Sequence, residues 1–286
     1  MQINFKSHPD LDRLIKEALA EDIGSGDHTT LSTIPESAVS SAKCLIKETG
    51  VLAGVEAALR VFSILDSSLE VQKILEDGTE VKPGDIAFTV TGSARNILMA
   101  ERLTLNIMQR MSGIATRTQH LAGLISDLNC KLLDTRKTTP NFRLFEKWAV
   151  KIGGGENHRY GLFDMILIKD NHVDYAGGIK QALDAATNYR AKNQLDIEIE
   201  IETRNLTEVE AVLATGGADR ILLDNMDVEM LKSAVKLIAG KTKTEASGNI
   251  TEINIRQKAE TGVNYISMGA LTHSVKSLDI SLKAIK

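Results

Sequence analysis

The chain has 286 residues, which is enough for two domains of ordinary size or one large domain. Hydrophobic residues make up 43% and charged residues 25% of it, a balance that excludes disorder as the main state. The 34 lysines and arginines stand against 38 acidic residues, so the net charge of −4 gives no overall positive field for a nucleic acid.

The cysteines and the N-terminal residues bear on the compartment. Cys44 and Cys130 form neither a CxxC motif nor a Cys/His cluster, which argues against a disulfide scaffold and a structural zinc site. Residues 1–10 lack the apolar core of a signal peptide, and the sequence has no run of about 18 apolar residues. We therefore expect a soluble cytoplasmic protein without a membrane partner.

The first region extends to about residue 113 and mixes helix with short strands. Apolar residues follow helical spacing over 10–20, and 42–46 and 69–74 are typical of strands. Segment 77–90 alternates apolar residues between Asp-Gly and Pro-Gly turns, as in the hammerhead of lipoyl and biotinyl carriers, but it lacks their modifiable lysine.

A long amphipathic helix is predicted over 93–111 and is expected to end at Ser112-Gly113. Arg102 lies on its polar stripe.

From residue 131 onward, strands alternate with helical stretches, which indicates six βα units and a parallel sheet. Polar residues or glycines follow all six strands, and they can converge only if the sheet closes into a barrel. The predicted strands are 132–133, 165–168, 197–201, 220–223, 243–246 and 265–268. The sequence thus predicts an α/β fold: an α+β N-terminal domain (1–113), then an incomplete, roughly six-stranded α/β barrel (114–286). We expect the C-terminal tail to return to the N-terminal domain.

Positive charge is concentrated after the first barrel strand. Residues 136–159 include six basic and two acidic residues, so this segment is a candidate anion site. Three of the basic residues lie on a predicted helix and are expected on its solvated face: Arg143, Lys147 and Lys151.

The other basic residues of this segment are stronger candidates. Arg136 and Lys137 follow a strand, and His158 and Arg159 follow Gly153-Gly154-Gly155. The glycine run lacks GxGxxG spacing, so a dinucleotide cofactor is not expected. We interpret it as a loop that lets the backbone approach a ligand and turns His158 and Arg159 inward.

Acidic residues alternate along one strand, where Glu198, Glu200 and Glu202 share a face and need cations. The candidate partners are a divalent metal and two lysines, Lys137 and Lys169. Glu202 and Asp224 lie at neighbouring strand ends and suit Mg²⁺, which typically uses one or two carboxylates plus phosphate oxygens. Glu198 lies deeper and is expected to be structural.

Glycine-containing loops follow the last two strands. Ser247-Gly248-Asn249 and Gly269-Ala270 offer backbone N–H groups and a helix N-terminus to a phosphate. Arginines for a carboxylate, lysines for a polyanion, a metal pair and a phosphate loop together describe phosphoribosyl transfer.

At these residues the chain resembles the quinolinate phosphoribosyltransferases, also called nicotinate-nucleotide pyrophosphorylases (carboxylating). The most specific motifs are Asp134-Thr-Arg-Lys-Thr-Thr-Pro and Gly153-Gly-Gly-Glu-Asn-His-Arg-Tyr-Gly-Leu. Further matches are 21–30, 101–102, 167–172, 222–225, 245–250 and 267–274, so the resemblance spans nearly the whole chain. It implies the condensation of quinolinate with phosphoribosyl pyrophosphate (PRPP) to nicotinate mononucleotide, pyrophosphate and CO₂ in NAD biosynthesis, without an organic cofactor.

The resemblance also implies roles for individual residues. The quinolinate carboxylates would be held by Arg102, Arg136, His158 and Arg159. PRPP and its departing pyrophosphate would contact Lys137 and Lys169, while its ribose hydroxyls and Mg²⁺ would be held by Glu202 and Asp224. The 5′-phosphate would be bound by Ser247, Gly248, Gly269 and His273. The family usually has Gly where this chain has Asn141.

Arg102 belongs to the first region, whereas most other candidate ligands belong to the barrel. A two-fold dimer that lays each first region over the partner's barrel would complete the site, and the resemblance implies the same homodimer.

Other functions fit parts of the pattern. A paralogue in molybdate-transport gene clusters shares the fold and acts on another substrate, but its counterpart of Thr138-Thr139-Pro140 typically differs. Lys169 could alternatively be the Schiff-base lysine of an aldolase-like barrel. A non-catalytic phosphate-binding protein would not need both a carboxylate pair and a lysine pair.

Overall fold

The computed structural model describes residues 4–285, which form two compact units. The first unit contains the residues up to Gln119, the insertion Thr138–Gly154 and the residues from Leu271 on. The second unit contains His120–Lys137 and Gly155–Ala270.

An antiparallel sheet organises the first unit, with the strand order β12-β1-β5-β3. Its strands are β1 (Val39–Ile46), β3 (Glu70–Lys73), β5 (Ile86–Ser93) and β12 (Ile280–Ala284). A small ribbon pairs β2 (Gly50–Val51) with β4 (Glu80–Val81). The C-terminal strand β12 lies against β1 with Cys44 opposite Leu282, so the end of the chain completes this sheet.

Five α-helices and a short 3₁₀ helix, Phe5–Ser7, lie in or start in the described part of this unit. They are α1 (Leu11–Ile23), α2 (His28–Thr33), α3 (Val55–Leu65), α4 (Ala94–Gly123) and α5 (Arg143–Ile152). The predicted helix over 10–20 and the strands over 42–46 and 69–74 are confirmed, with shifted ends.

Helix α4 runs on past Ser112-Gly113, so the prediction that this pair ends the helix is wrong. The Ser112 hydroxyl accepts the N–H of Ala53 at 2.9 Å and donates to its carbonyl at 3.1 Å. At Gly113, a Cβ atom would lie 2.2 Å from the carbonyl oxygen of Lys276. The pair therefore serves close packing in the middle of a helix rather than a cap.

Helix α5 has no solvated face that could hold its basic residues. Its residues from Leu144 to Val150 are all buried, and Trp148 stacks on Phe5 with ring centroids 6.0 Å apart. Lys147 is fully buried, so the expectation of a solvated position is wrong for it. The basic spacing is that of a surface helix, but packing buries the middle of the helix on all faces, and Arg143 and Lys151 at its ends are partly buried.

The second unit is built on a six-stranded parallel sheet in the order β6-β11-β10-β9-β8-β7. Its strands are β6 (Lys131–Leu133), β7 (Ile166–Ile168), β8 (Ile199–Thr203), β9 (Arg220–Asp224), β10 (Lys243–Ser247) and β11 (Tyr265–Ser267). The first strand pairs with the last, as in a barrel, while β6 and β7 remain unpaired with each other. The predicted incomplete six-stranded α/β barrel is therefore confirmed.

Helices follow the barrel strands from β7 onward. They are α6 (Asp170–Ala176), α7 (Ile179–Lys192), α8 (Leu206–Thr215), α9 (Val228–Ile238), α10 (Ile255–Ala259) and α11 (Ala270–His273). Asn205 and Asp227 cap α8 and α9 by accepting backbone N–H groups of Glu208 and Met230. Among the described residues, no helix is both long enough and apolar enough to cross a membrane.

We expect Gly113→Ala to lower the free energy of unfolding by about 2 kcal/mol, because the new methyl group meets a backbone carbonyl that cannot rotate away. Gly123→Ala is the matched control, since a Cβ atom at this last residue of α4 meets nothing within 4 Å. Alanine is the better helix former, so the control should be neutral or slightly stabilising. Urea unfolding followed by circular dichroism measures both, and equal stabilities would contradict the packing account.

Candidate active site

The carboxyl ends of the barrel strands gather most of the predicted ligands. Parallel strands end at the same edge of a sheet, so residues that follow them face a common space. The candidates at these ends within the second unit are Arg136, Lys137, Lys169, Glu202, Asp224, Ser247, Gly248 and Gly269.

A buried carboxylate joins the two motifs that carry the arginines. Asp134 directly follows β6 and is fully buried. It accepts hydrogen bonds from Asn157 Nδ2 at 2.6 Å and from the backbone N–H of His158 at 2.8 Å. Its own N–H donates to the carbonyl of Glu156 at 3.2 Å. Segment 156–158 is thereby fixed beside the loop that contains Arg136.

This link joins the segments that contain Arg136 and Arg159. Arg159 is partly buried, and its burial together with the positive charge of Arg136 lowers the pKa of its guanidinium. Two like charges held near each other favour a ligand that carries negative charge on both sides. Guanidinium groups can each bind a carboxylate through two parallel bonds, so the two arginines are candidates for binding a dicarboxylate.

His158 is buried, and both of its ring nitrogens face protein groups. Nδ1 accepts the backbone N–H of Arg159 at 2.7 Å. Nε2 lies 3.0 Å from a carboxylate oxygen of Glu200 and 3.4 Å from one of Glu245. The ring thus connects buried carboxylates in the barrel to the backbone of Arg159.

Ion pairs fill the barrel interior. Arg220 binds Glu245 and Glu198, each at 3.0 Å, and lies over the ring of Tyr265 at 4.3 Å. Lys243 adds a second contact to Glu198 at 2.7 Å.

The structure corrects the expected protein partners of two carboxylates, since Glu198 contacts Arg220 and Lys243, and Glu200 contacts His158, rather than the strand-end lysines. Within residues 4–285, one group of three side chains has metal-ligand spacing, namely His158, Glu200 and Glu245. Burial and the charge of Glu245 raise the pKa of Glu200. His158 lies beside both carboxylates of this group, and Arg220 binds Glu245 as well.

Glu202 behaves differently from the two deeper glutamates. It is partly buried, and its burial and the nearby charge of Asp224 raise its pKa, while Lys169 opposes that shift. Two carboxylates that repel each other at neighbouring strand ends form an oxygen donor set that fits a hard divalent cation.

The loops after β9 and β10 are bound to each other. The N–H of Asn225 donates to the carbonyl of Ser247 at 2.9 Å. Gly248 has a φ of +84°, and a Cβ atom there would lie 2.2 Å from Asn225 Oδ1. The buried Lys258 supports this arrangement from α10, because its Nζ donates to the carbonyl of Met226 at 3.1 Å. Glycine is therefore required at position 248 by its φ and by the approach of Asn225.

Two predicted ligands lie in the first unit. Arg102 is exposed on α4 and has no hydrogen bond or ion pair within the described part of the chain. His273 is exposed at the end of α11, where its Nδ1 contacts the Ser274 hydroxyl at 2.6 Å.

Two departures from the expected loop chemistry have local explanations. Asn141, which replaces the family's usual Gly, has a φ of +59°, and Asn adopts this left-handed conformation more readily than most residues. A Cβ atom at Gly153 would lie 2.4 Å from the carbonyl oxygen of Ala115. The first glycine of the run is thus required by packing against α4 rather than by the approach of a ligand.

Several residues of this arrangement were not found by sequence reasoning. Arg220 and Lys258 belong to no motif, and only tertiary contacts reveal their partners. Asp134 begins a family motif, but the sequence does not reveal that it orients segment 156–158.

Comparison with known proteins shows the family. Residues 27–112 match the family description "Quinolinate phosphoribosyl transferase, N-terminal domain" and residues 114–283 match "Quinolinate phosphoribosyl transferase, C-terminal domain". The chain belongs to the quinolinate phosphoribosyltransferase family.

Similar family members come from plants and bacteria. "Quinolinate phosphoribosyltransferase [decarboxylating] 2b, mitochondrial" from Nicotiana tabacum is 48% identical over 300 residues, which cover 99% of this chain and 85% of that protein. "Probable nicotinate-nucleotide pyrophosphorylase [carboxylating]" from Bacillus subtilis is 44% identical over 278 residues, covering 96% and 94%. The structure of the nicotinate-nucleotide pyrophosphorylase from Francisella tularensis is also similar. The alignment covers 100% of both chains, with a TM-score of 0.91 and 40% sequence identity. These relatives support neither the molybdate-transport paralogue nor the Schiff-base aldolase.

We expect Arg220→Met to destabilise the protein by about 3 kcal/mol, because it leaves the fully buried Glu245 without its guanidinium partner. Lys180→Met is the control, since Lys180 pairs with Asp184 on an exposed surface of the same unit and should cost less than about 1 kcal/mol. Denaturant unfolding compares the two variants. A similar small decrease in the free energy of unfolding of both variants would show that the interior ion pairs do not stabilise the barrel.

Proposed function

We propose that this protein transfers the phosphoribosyl group of PRPP to quinolinate, with release of pyrophosphate and CO₂, and so forms nicotinate mononucleotide for NAD biosynthesis. The observation that carries the proposal is the pair of guanidinium groups, Arg136 and Arg159, held together at the carboxyl ends of the barrel strands. Quinolinate has two adjacent carboxylates, which match two adjacent guanidinium groups. Family membership over nearly the whole chain supports the same reaction.

The chemistry uses the remaining strand-end residues. The ring nitrogen of quinolinate forms a bond to C1′ of the ribose, and pyrophosphate leaves with the electron pair of the broken C–O bond. Lys137 and Lys169 neutralise the charge that develops on pyrophosphate, and Glu202 and Asp224 hold the ribose hydroxyls beside the carbon that becomes electron-poor. Charge complementarity to this transition state is the main source of the rate acceleration.

Decarboxylation follows from the first step. N-glycosylation turns the ring nitrogen into a pyridinium, which accepts the electron pair left when the neighbouring carboxylate departs as CO₂. A proton then replaces it on the ring carbon. Since the substrate supplies its own electron sink, the reaction requires no organic cofactor.

A divalent cation fits the carboxylate pair. Glu202 and Asp224 would hold Mg²⁺, because burial and the charge of Asp224 raise the pKa of Glu202 and a cation beside both carboxylates would relieve their repulsion. When bound, Mg²⁺ supplies positive charge to the pyrophosphate of PRPP.

The 5′-phosphate of PRPP is assigned to the two late loops. Ser247 and Gly248 offer backbone N–H groups from a loop held by Asn225 and Lys258. Gly269 and His273 follow β11 and contribute the second part of the binding loop.

A homodimer with shared sites accounts for features that one chain leaves unused. Arg102 is exposed and lacks a partner among the described residues, and the family resemblance assigns it to quinolinate. Large apolar side chains are also exposed in the segments after Arg159 and Lys169: Leu162 at 72%, Phe163 at 74% and Tyr175 at 89%. Such exposed apolar side chains are typical of protein interfaces.

We also infer a cytoplasmic location and no nucleic-acid or membrane partner. The net charge of −4 supports the absence of a nucleic-acid partner. Relatives from plants carry the words mitochondrial or chloroplastic in their names, so organellar targeting occurs within the family.

The substrate assignment predicts that quinolinate is consumed and nicotinate is not. A site that pairs two carboxylates leaves a guanidinium unsatisfied when one is absent, at a cost on the order of 1–3 kcal/mol per lost partner. The assay measures nicotinate mononucleotide formed from each acid with PRPP and Mg²⁺, with nicotinamide as a further control. Comparable efficiency with nicotinate would refute the assignment.

The shared site predicts complementation between two variants that are each nearly inactive, Arg102→Ala and Lys137→Ala. After subunit exchange, each heterodimer has one intact site, so activity should recover to about a quarter of wild type if exchange is statistical and equimolar. Exchange is monitored by native mass spectrometry. Demonstrated exchange without recovered activity would remove Arg102 from the partner's site.

A further inference from the structure

A buried ion pair in the first unit has no role in the function described so far. Arg110 on α4 binds Glu146 on α5, with its Nε and Nη2 at 3.1 Å and 2.9 Å from the same carboxylate oxygen. Glu146 is fully buried, while about a quarter of the Arg110 side chain is exposed. Burying two charges costs more than burying apolar side chains of the same size, so packing alone does not explain this pair.

Glu146 binds the loop that follows β6. Its oxygens accept the backbone N–H of Thr139 at 3.1 Å and the Thr139 hydroxyl at 3.0 Å. With the two bonds from Arg110, the carboxylate accepts four hydrogen bonds. Thr139 is two residues from Lys137, which the proposed function assigns to pyrophosphate.

Arg110 binds the loop that follows β11. Its Nη2 donates to the carbonyl of Thr272, and its Nη1 donates to the carbonyl of Val275 at 3.1 Å. These two carbonyls lie on either side of His273, which the proposed function assigns to the 5′-phosphate. One guanidinium therefore connects two loops through a planar set of donors that a lysine cannot reproduce.

We propose that Arg110 and Glu146 form a clamp that sets the spacing of the two PRPP-binding loops and thereby the affinity for PRPP. This inference rests on the proposed function, because that function assigns Lys137 and His273 to the two ends of the donor. Arg110 and Glu146 are positioning residues that act through these loops. PRPP must be bound at both ends. A change in the spacing of the two loops therefore weakens the binding of PRPP more than the binding of quinolinate.

The test compares Arg110→Lys and Glu146→Gln with the wild type. Arg110→Lys keeps the positive charge but loses the planar guanidinium with its several donors. Glu146→Gln places a side-chain amide N–H, which donates, against the guanidinium of Arg110, which also donates. We expect each to raise KM for PRPP about tenfold. The dissociation constant of quinolinate measured without PRPP should change less than about twofold, since of its proposed ligands only Arg136 lies on a loop that the clamp binds.

Arg95→Lys is the matched control. Arg95 lies on the same helix and also donates to backbone carbonyls, those of Ile34 at 2.9 Å and Leu31 at 3.4 Å, in a segment without proposed ligands. It should leave KM for PRPP unchanged. Added guanidinium should partly restore the PRPP affinity of Arg110→Ala, which a general loss of stability would not allow.

Each result decides between clear alternatives. A folded Arg110→Lys variant with wild-type KM for PRPP would overturn the clamp, as would an equal effect of Arg95→Lys. Failure of all Arg110 and Glu146 variants to fold would assign the pair to stability alone and overturn it as well. If the wild type itself forms no nicotinate mononucleotide, the proposed function fails instead.

Discussion

Two guanidinium groups repel each other, and the site depends on the interaction that holds Arg136 and Arg159 together in spite of this. The buried carboxylate of Asp134 joins the two segments that carry them, because it binds the side chain of Asn157 and the backbone of His158. In the proposed site, this link positions two positive charges before any ligand arrives. A dianion that binds between them gains attraction without the cost of bringing the arginines together, which is preorganisation in the electrostatic sense.

The barrel interior supports this arrangement from below. Arg220, at the start of β9, binds Glu245, whose carboxylate also faces the His158 ring, and that ring accepts the N–H of Arg159. Contacts between polar side chains therefore connect Arg220, near the amino end of the barrel, to the backbone of Arg159. Glu198 and Glu245 have basic partners inside the barrel, whereas Glu202 and Asp224 at the strand ends are the carboxylates proposed to bind ligands. The proposal thus places structural and functional carboxylates in the same barrel at different depths.

Much of the barrel and of the candidate site could be predicted from the sequence, because both depend on the spacing of residues that are close together in the chain. Strand periodicity placed the six barrel strands, and the residues after them were correctly located at their carboxyl ends. The alternation of Glu198, Glu200 and Glu202 predicted a shared face but not their partners, since Arg220 is distant in sequence and its strand reads as an apolar run. Only the three-dimensional pairing shows which carboxylates are compensated.

The errors have the same origin. Ser112-Gly113 looks like a helix end because serine and glycine are poor helix formers, yet the approach of Ala53 and Lys276 requires both within α4. Lys147 looks like a surface residue until the packing around α5 is known. Arg110 and Glu146 belong to no motif. Apart from each other, they bind backbone groups and a threonine, and the local sequence pattern does not reveal such partners.

The central claim is that Arg136 and Arg159 form one binding site for a dicarboxylate. A crystal structure of the protein with quinolinate, in the absence of PRPP, tests it most directly. The account predicts that each of the two adjacent carboxylates lies within hydrogen-bond distance of one of these guanidinium groups, with Asp134 still bound to Asn157 and His158. Quinolinate bound with neither carboxylate on Arg136 or Arg159 would contradict it.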